Sequence, residues 1–361
     1  MAVEVKIADP PQAIVREGAV TRKISPAVWA FPAALLLLLA TVLISTVAGA
    51  VHISPRTVLM TFLGSHAVSP EDRLILLQVR LPRIVGAGII GAALSLAGVL
   101  FQGLFRNPMA DPYVLGTSGG AAFGAALGLL LFPSASILGF SATATFAFIG
   151  SIVTISFVYA LARVGGKAPI VPLLLAGISV SMILSEASSV LIYMRGEMSW
   201  NARSLALWMH GTIMISEWRQ IGVAAVMLAI GGLLCLPLRP VLNVFALGEE
   251  YAQQLGMRVE LARTAVILVA SLLTASAVLM GGIIGFVGLL VPHIVRLIVG
   301  PTHGKLMLLS AMLGASYLIV ADAFARTIIA PSEFPVGILT AFLGGPVLLY
   351  LLRRNKKEYA L

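Results

Sequence analysis

Two acids stand inside otherwise apolar stretches of the chain, Glu186 and Asp322. A carboxylate at mid-bilayer costs about 2.5–3.5 kcal/mol on insertion scales, so such a residue has a partner or a wet surface to face. Asp322 has Arg326 one helical turn on, which makes a local ion pair its simplest role. Glu186 has no such neighbour but lies in a serine-rich stretch with Ser179, Ser181, Ser185, Ser188 and Ser189. Ser185 and Ser189 are four apart and share a helix face, with Ser181 one turn further back. Ser181, Ser185, Glu186 and Ser189 therefore either line a polar conduit or pack against a neighbouring helix. An acid in such a conduit also has the chemistry of a proton carrier, which leaves transport driven by an ion gradient through Glu186 as an alternative.

Covalent chemistry has no foothold in this sequence. There is no Gly-x-x-x-x-Gly-Lys-[Ser/Thr] phosphate loop, no His-Glu-x-x-His and no Cys–His cluster. His52, His66, His210, His293 and His303 are scattered and suggest no metal cage. The single cysteine, Cys235, lies in an apolar run, which excludes an intrachain disulfide and reads as a buried thiol. An enzyme embedded in the bilayer would need clustered catalytic side chains, and none is visible.

The elements that must position these residues are membrane spans. Of 361 residues, 59% are hydrophobic and 11% charged, and the mean hydropathy is +1.01, too apolar for a soluble surface. A crossing helix needs about 20 apolar residues. Ten stretches qualify: Trp29–Ala50, Ile84–Leu104, Val114–Phe132, Phe140–Ala162, Pro169–Met194, Trp218–Leu238, Leu261–Met280, Ile283–Val299, Leu306–Ile328 and Val336–Leu352. Only Gly281-Gly282 divides the seventh from the eighth. The expected architecture is an all-α polytopic bundle over 29–352, with cytosolic tails at 1–28 and 353–361. The long apolar run after 28 mixed residues is not a cleaved signal peptide. With both termini inside, sixteen of the 24 Lys and Arg residues fall on the cytoplasmic side and eight outside, as the positive-inside bias requires. The net charge of +9 thus reads as topology, since no basic patch for nucleic acid is formed. Glycines such as Gly86, Gly88, Gly91 and Gly98, then Gly116, Gly119, Gly120, Gly124 and Gly128, point to closely packed helices.

Three segments outside the spans carry their own signals. Phe105–Gly116 holds Pro108 and Pro112, which stiffen a cytosolic turn. The loop 239–260 contains Leu247-Gly-Glu-Glu-Tyr-Ala-Gln-Gln-Leu-Gly256, where Glu249 and Glu250 favour a helix start and Gly256 a stop. A short helix over Glu249–Leu255 reads equally as a docking knob and as an interfacial connector. On the outer side, 51–83 ends in Gln78-Val-Arg-Leu-Pro-Arg83, and its Arg80 and Arg83 run against the charge bias. Phosphate headgroups are the simplest partners for them, an acidic protein the other.

Taken together, Arg80-Leu-Pro-Arg83, Gly98-Val-Leu-Phe-Gln-Gly-Leu-Phe-Arg-Asn-Pro-Met-Ala-Asp-Pro112, Leu247–Gly256, Gly285-Phe-Val-Gly-Leu-Leu-Val-Pro-His-Ile-Val-Arg296 and Glu333-Phe-Pro-Val-Gly-Ile-Leu-Thr-Ala-Phe-Leu-Gly-Gly-Pro346 resemble the FecCD-type permeases. These are the type II ABC importer subunits for vitamin B12, iron–siderophores and haem. The resemblance implies a ten-span homodimer in a prokaryotic cytoplasmic (inner) membrane, with the path at its centre. It also implies two separate ATPase subunits, which use ATP and Mg, and a periplasmic or lipid-anchored substrate-binding protein; this chain would bind no cofactor itself. By the same resemblance Leu247, Gly248, Glu249, Glu250, Ala252, Gln253, Leu255 and Gly256 form a coupling helix against the ATPase. Arg80, Arg83 and Arg326 grip the binding protein, and the fifth span lines the path.

Overall fold

The computed structural model describes residues 27–354, apart from 50, 66–67, 164, 166, 195–199, 216 and 331. The tails expected at 1–28 and 353–361 lie almost entirely outside the described residues. Thirteen helices are found among the described residues: α1 (Ala27–Val47), α2 (Pro55–Phe62), α3 (Pro70–Leu104), α4 (Thr117–Leu131), α5 (Ala142–Ala162), α6 (Ile170–Met194), α7 (Trp200–Met209), α8 (Trp218–Phe245), α9 (Glu249–Gln254), α10 (Val259–Gly281), α11 (Val287–Val299), α12 (His303–Thr327) and α13 (Val336–Arg354). A two-residue hairpin, β1 (Ser136–Ile137) and β2 (Phe140–Ser141), joins α4 to α5.

Seven of the helices are long and apolar enough to cross a membrane: α1, α3, α5, α6, α8, α10 and α12. Three shorter apolar helices, α4, α11 and α13, complete the ten expected positions. At ~1.5 Å per residue α4 rises only about 22 Å, short of the ~30 Å hydrocarbon core. The seventh and eighth expected spans are indeed separate. The chain leaves α10 at Gly282 with φ +67° and starts α11 after Phe286, itself at φ +69°.

The second span departs from expectation. It begins at Pro70, not near Ile84, behind a Ser69 cap whose hydroxyl accepts from the Asp72 amide. A π-helical stretch over Ile75–Arg80 carries it into the bilayer part of the helix. Glu71, Asp72 and Arg73 make that first turn look like loop in sequence, although acids at a helix start and Pro at its first position favour a helix.

Helix α3 is the hub, most of it buried inside the protein, with α12, α10, α8 and α11 packed around it. Small residues permit this. A side chain at Gly91 would collide with the carbonyl of Gly314 on α12, and one at Gly98 with the carbonyl of Gly288 on α11. Helices α4, α5 and α6 form a second group, tied to the hub through α10.

Candidate functional site

At the outer end, the arginines singled out in the sequence are drawn into one knot. Arg83 Nε donates to Asp322 Oδ1 at 3.0 Å, and Arg326 Nε donates to Asp322 Oδ2 at 2.9 Å, so both oxygens of that carboxylate are engaged. Arg83 Nη1 reaches Glu333 Oε1 at 2.6 Å, and Arg326 Nη2 donates to the Ser45 hydroxyl at 2.9 Å. Arg80 meets no carboxylate among the described residues. Its guanidinium donates to the carbonyls of Thr46 (2.7 Å) and Val47 (3.2 Å), at the negative end of α1, and to that of Val51 (2.7 Å) in the segment after it. The Asp322–Arg326 pair read from the sequence is present, but it is one edge of a knot joining α1, α3 and α12.

The three guanidinium groups expected to meet an outside partner are thus largely drawn inward. Arg80 is 4% exposed and the Asp322 side chain 1%, whereas the Glu333 side chain is 48% exposed. Glu333 was missed as a participant because it lies in a loop 250 residues from Arg83, and nothing local marks it.

At the inner end, α9 is held between Gly248 at φ +118° and Gly256 at φ +79°, conformations a side chain would strain. These turns set a six-residue helix apart from α8 and α10. Ala252 is buried beneath it, while Leu247, Tyr251 and Leu255 are 65%, 62% and 67% exposed. Glu250 and Gln253 are also exposed. Glu249, expected at the docking face, turns inward. Its Oε1 accepts from buried Arg263 Nη2 at 2.7 Å, and Arg263 Nη1 also binds Glu260 Oε1 (2.6 Å) and the Ala168 carbonyl (2.8 Å). An open groove of about 470 Å³ lies beside this clasp, between Lys167, Gln253, Arg258 and Glu260. Tyr251 is the outward residue the sequence reading overlooked; an aromatic within a short polar helix was its signal.

In the membrane-spanning part, α6 has only Leu173, Gly177 and Ser188 buried. Of the four expected path residues, Glu186 and Ser189 are exposed and Ser185 is half-buried. Ser181 is turned away, toward α4, where its hydroxyl accepts from the Gly119 amide at 3.1 Å. The four do not share one face, because Ser181 is drawn into the seam with α4.

The Pro108–Pro112 turn is internally satisfied. Asp111 Oδ1 accepts from the Tyr113 amide at 2.8 Å, and the Tyr113 hydroxyl accepts from the Ile284 amide at 3.1 Å. Burial pushes the Asp111 carboxyl up to about 6, and it pushes the Tyr113 hydroxyl up as well. A carboxyl raised above its unfolded value stabilises the fold below pH ~4, and that contribution is lost as pH rises through ~6. Asp111→Asn, which keeps the accepting oxygen, is therefore expected to raise thermal stability at pH 7.5 by on the order of 1–2 kcal/mol and to flatten its decline between pH 4 and 6. Unfolding midpoints across that range check this; a variant with the wild-type slope would contradict it.

Comparison with known proteins gives the family. The FecCD transport family profile matches residues 37–354. The chain belongs to the FecCD transport family. It is 41% identical over 285 residues to the cobalamin import system permease protein BtuC of Halobacterium salinarum, covering 79% of this chain and 75% of that one. It is 37% identical over 327 residues to the hemin transport system permease protein HmuU of Yersinia pestis, covering 90% and 95%. A solved metal-chelate type ABC transporter in an inward-facing conformation superposes with a TM-score of 0.77 at 30% identity, over 91% of this chain and 99% of that one. This FecCD protein is a multi-pass, non-catalytic permease subunit of an ABC importer.

Proposed function

We propose that the chain works as a homodimer in a prokaryotic inner membrane, importing a metal chelate of the cobalamin, haem or iron–siderophore class. Two ATPase subunits inside the cell, which bind the ATP and Mg, supply the drive, and an external binding protein delivers the cargo. The observation that carries this reading is α9: an exposed apolar knob whose root is clasped to α10 through Glu249, Arg263 and Glu260. A partner pressing on Leu247, Tyr251 and Leu255 moves Gly248, Glu250, Ala252, Gln253 and Gly256 with it, and the buried Arg263 pair passes that movement to the bundle. Each nucleotide state then shifts the inward–outward equilibrium by its differential affinity for the two forms.

On the outer side, the binding protein meets the edge of the arginine knot at Arg83 and Glu333, while Arg80 and Arg326 hold that edge in register. Charge pairs there set orientation and encounter rate more than affinity. Between the two ends, the α6 face bearing Glu186 and Ser189, with Ser185 at its margin and Ser181 bracing it on α4, lines the path.

Leu255→Asp is expected to lower capture of the cognate ATPase, and transport with it, by about tenfold or more, the loss of one buried anchor. Size-exclusion elution of the permease should stay unchanged. Co-purification of the ATPase with the variant, together with ATPase-driven uptake in proteoliposomes, checks this. Undiminished capture would remove the docking role. Vesicles that accumulate cargo with the permease alone would replace it with a gradient-driven mechanism.

A further inference from the structure

Helices α4, α5 and α6 together contain one charged residue, Glu186. It lies on a stripe of exposed residues, Leu175, Ser179, Met182, Glu186, Ser189 and Tyr193, spaced alternately by four and three along the helix. That spacing keeps one face of an α-helix pointing in one direction over five turns. Among the described residues Glu186 has no ion-pair or hydrogen-bond partner. The helices packed against α6 offer it no cation to pair with. A lone carboxylate cannot be left against lipid tails, so the stripe faces water. In a two-fold dimer the same stripe is contributed twice, which places two carboxylates along one narrow passage.

Resting on the reading of α6 as the path wall, we propose that Glu186 is a charge filter. It passes a chelate whose outer surface is cationic or rich in hydrogen-bond donors, such as an amide-fringed corrinoid or a cationic ferric hydroxamate, and holds back one that displays carboxylates, such as an iron porphyrin dicarboxylate or a ferric citrate. The exposed hydroxyls of Ser179 and Ser189, one helical turn or two on either side, offer neutral hydrogen-bonding positions that extend the polar strip without adding charge. Like-charge juxtaposition in a confined passage rejects the wrong cargo more strongly than added contacts favour the right one.

The test reads the field at Glu186 without needing the cargo. Ser189→Cys is introduced after the only native thiol, Cys235, is replaced by Ser, and the complete transporter is placed in vesicles. Its labelling rates by a cationic (ethylammonium) and an anionic (ethylsulfonate) methanethiosulfonate are compared. With Glu186 present the cationic reagent is expected to react about tenfold faster or more, and in Glu186→Gln the ratio should fall to that of a free thiol. A ratio unchanged by Glu186→Gln, with both reagents still reacting, overturns the filter and leaves the path reading intact. Failure of both reagents to label the cysteine overturns the path reading itself, and the filter with it.

Discussion

Asp322→Ala is expected to destabilise the permease by about 3–5 kcal/mol, the loss seen when one partner is removed from a buried ion pair. The carboxylate is buried, and its two oxygens hold Arg83 and Arg326 at 3.0 and 2.9 Å. Without it, two guanidinium groups and the nearby Arg80 remain at the junction of α1, α3 and α12 with only hydroxyl, carbonyl and Glu333 acceptors. Like charges then face one another where water cannot screen them well. Asp322→Asn keeps one acceptor and should fall between the alanine variant and the wild type. Glu333→Gln removes a partner that is half in solvent and should cost no more than about 1 kcal/mol. The ordering of the three unfolding midpoints in detergent is the check. Equal midpoints for Asp322→Ala and Glu333→Gln would show that the knot does not bear on stability.

The spans were legible because their signal is local: any stretch of twenty apolar residues must cross or be buried, and ten stretches stood out. The Gly281-Gly282 division was legible for a similar reason, since two glycines weaken a helix wherever they fall. What escaped was information carried by residues far apart. The Ser69 hydroxyl cap and the π-helical stretch that extend α3 back to Pro70 are local and escaped for another reason: in one dimension they look like the charged loop Glu71-Asp-Arg73. Helix α7 sits in a segment whose mean hydropathy is too mixed to announce it. The site divides in the same way. The α9 motif was readable because glycines bracket it, but the inward turn of Glu249 depends on Arg263, fourteen residues on and buried by neighbouring helices. Arg80 and Arg83 drew notice for being on the unexpected side, yet only the folded chain shows that the end of α1 and Glu333 are their partners. Ser181 shares a helical period with Ser185, and the close approach of Gly119 on α4 decides otherwise.

The close approach of α3 to its neighbours carries the other large prediction. The Gly98 backbone lies directly on the carbonyl of Gly288, with the α-carbon of Gly288 2.9 Å from where a β-carbon would stand. Both sides of that contact are backbone, so no rotamer change can relieve it and the helices themselves must separate. Lipid gives no hydrophobic drive to bring them back, and the packing lost between α3 and α11 is lost outright. Gly98→Leu is therefore expected to yield no monodisperse permease, and Gly98→Ala to lower the unfolding midpoint by an amount at or above the ~1–3 kcal/mol usual for overpacking. Gly232 on α8 supplies the control, since a β-carbon there meets nothing within 4 Å. Gly232→Ala removes a helix-weakening glycine and should leave the midpoint unchanged or raise it by up to ~1 kcal/mol. The two alanine variants add the same methyl group to the same kind of helix, so the difference between them isolates the contact with Gly288. Equal midpoints would mean that the hub tolerates separation, and that the small residues of α3 serve something other than close packing.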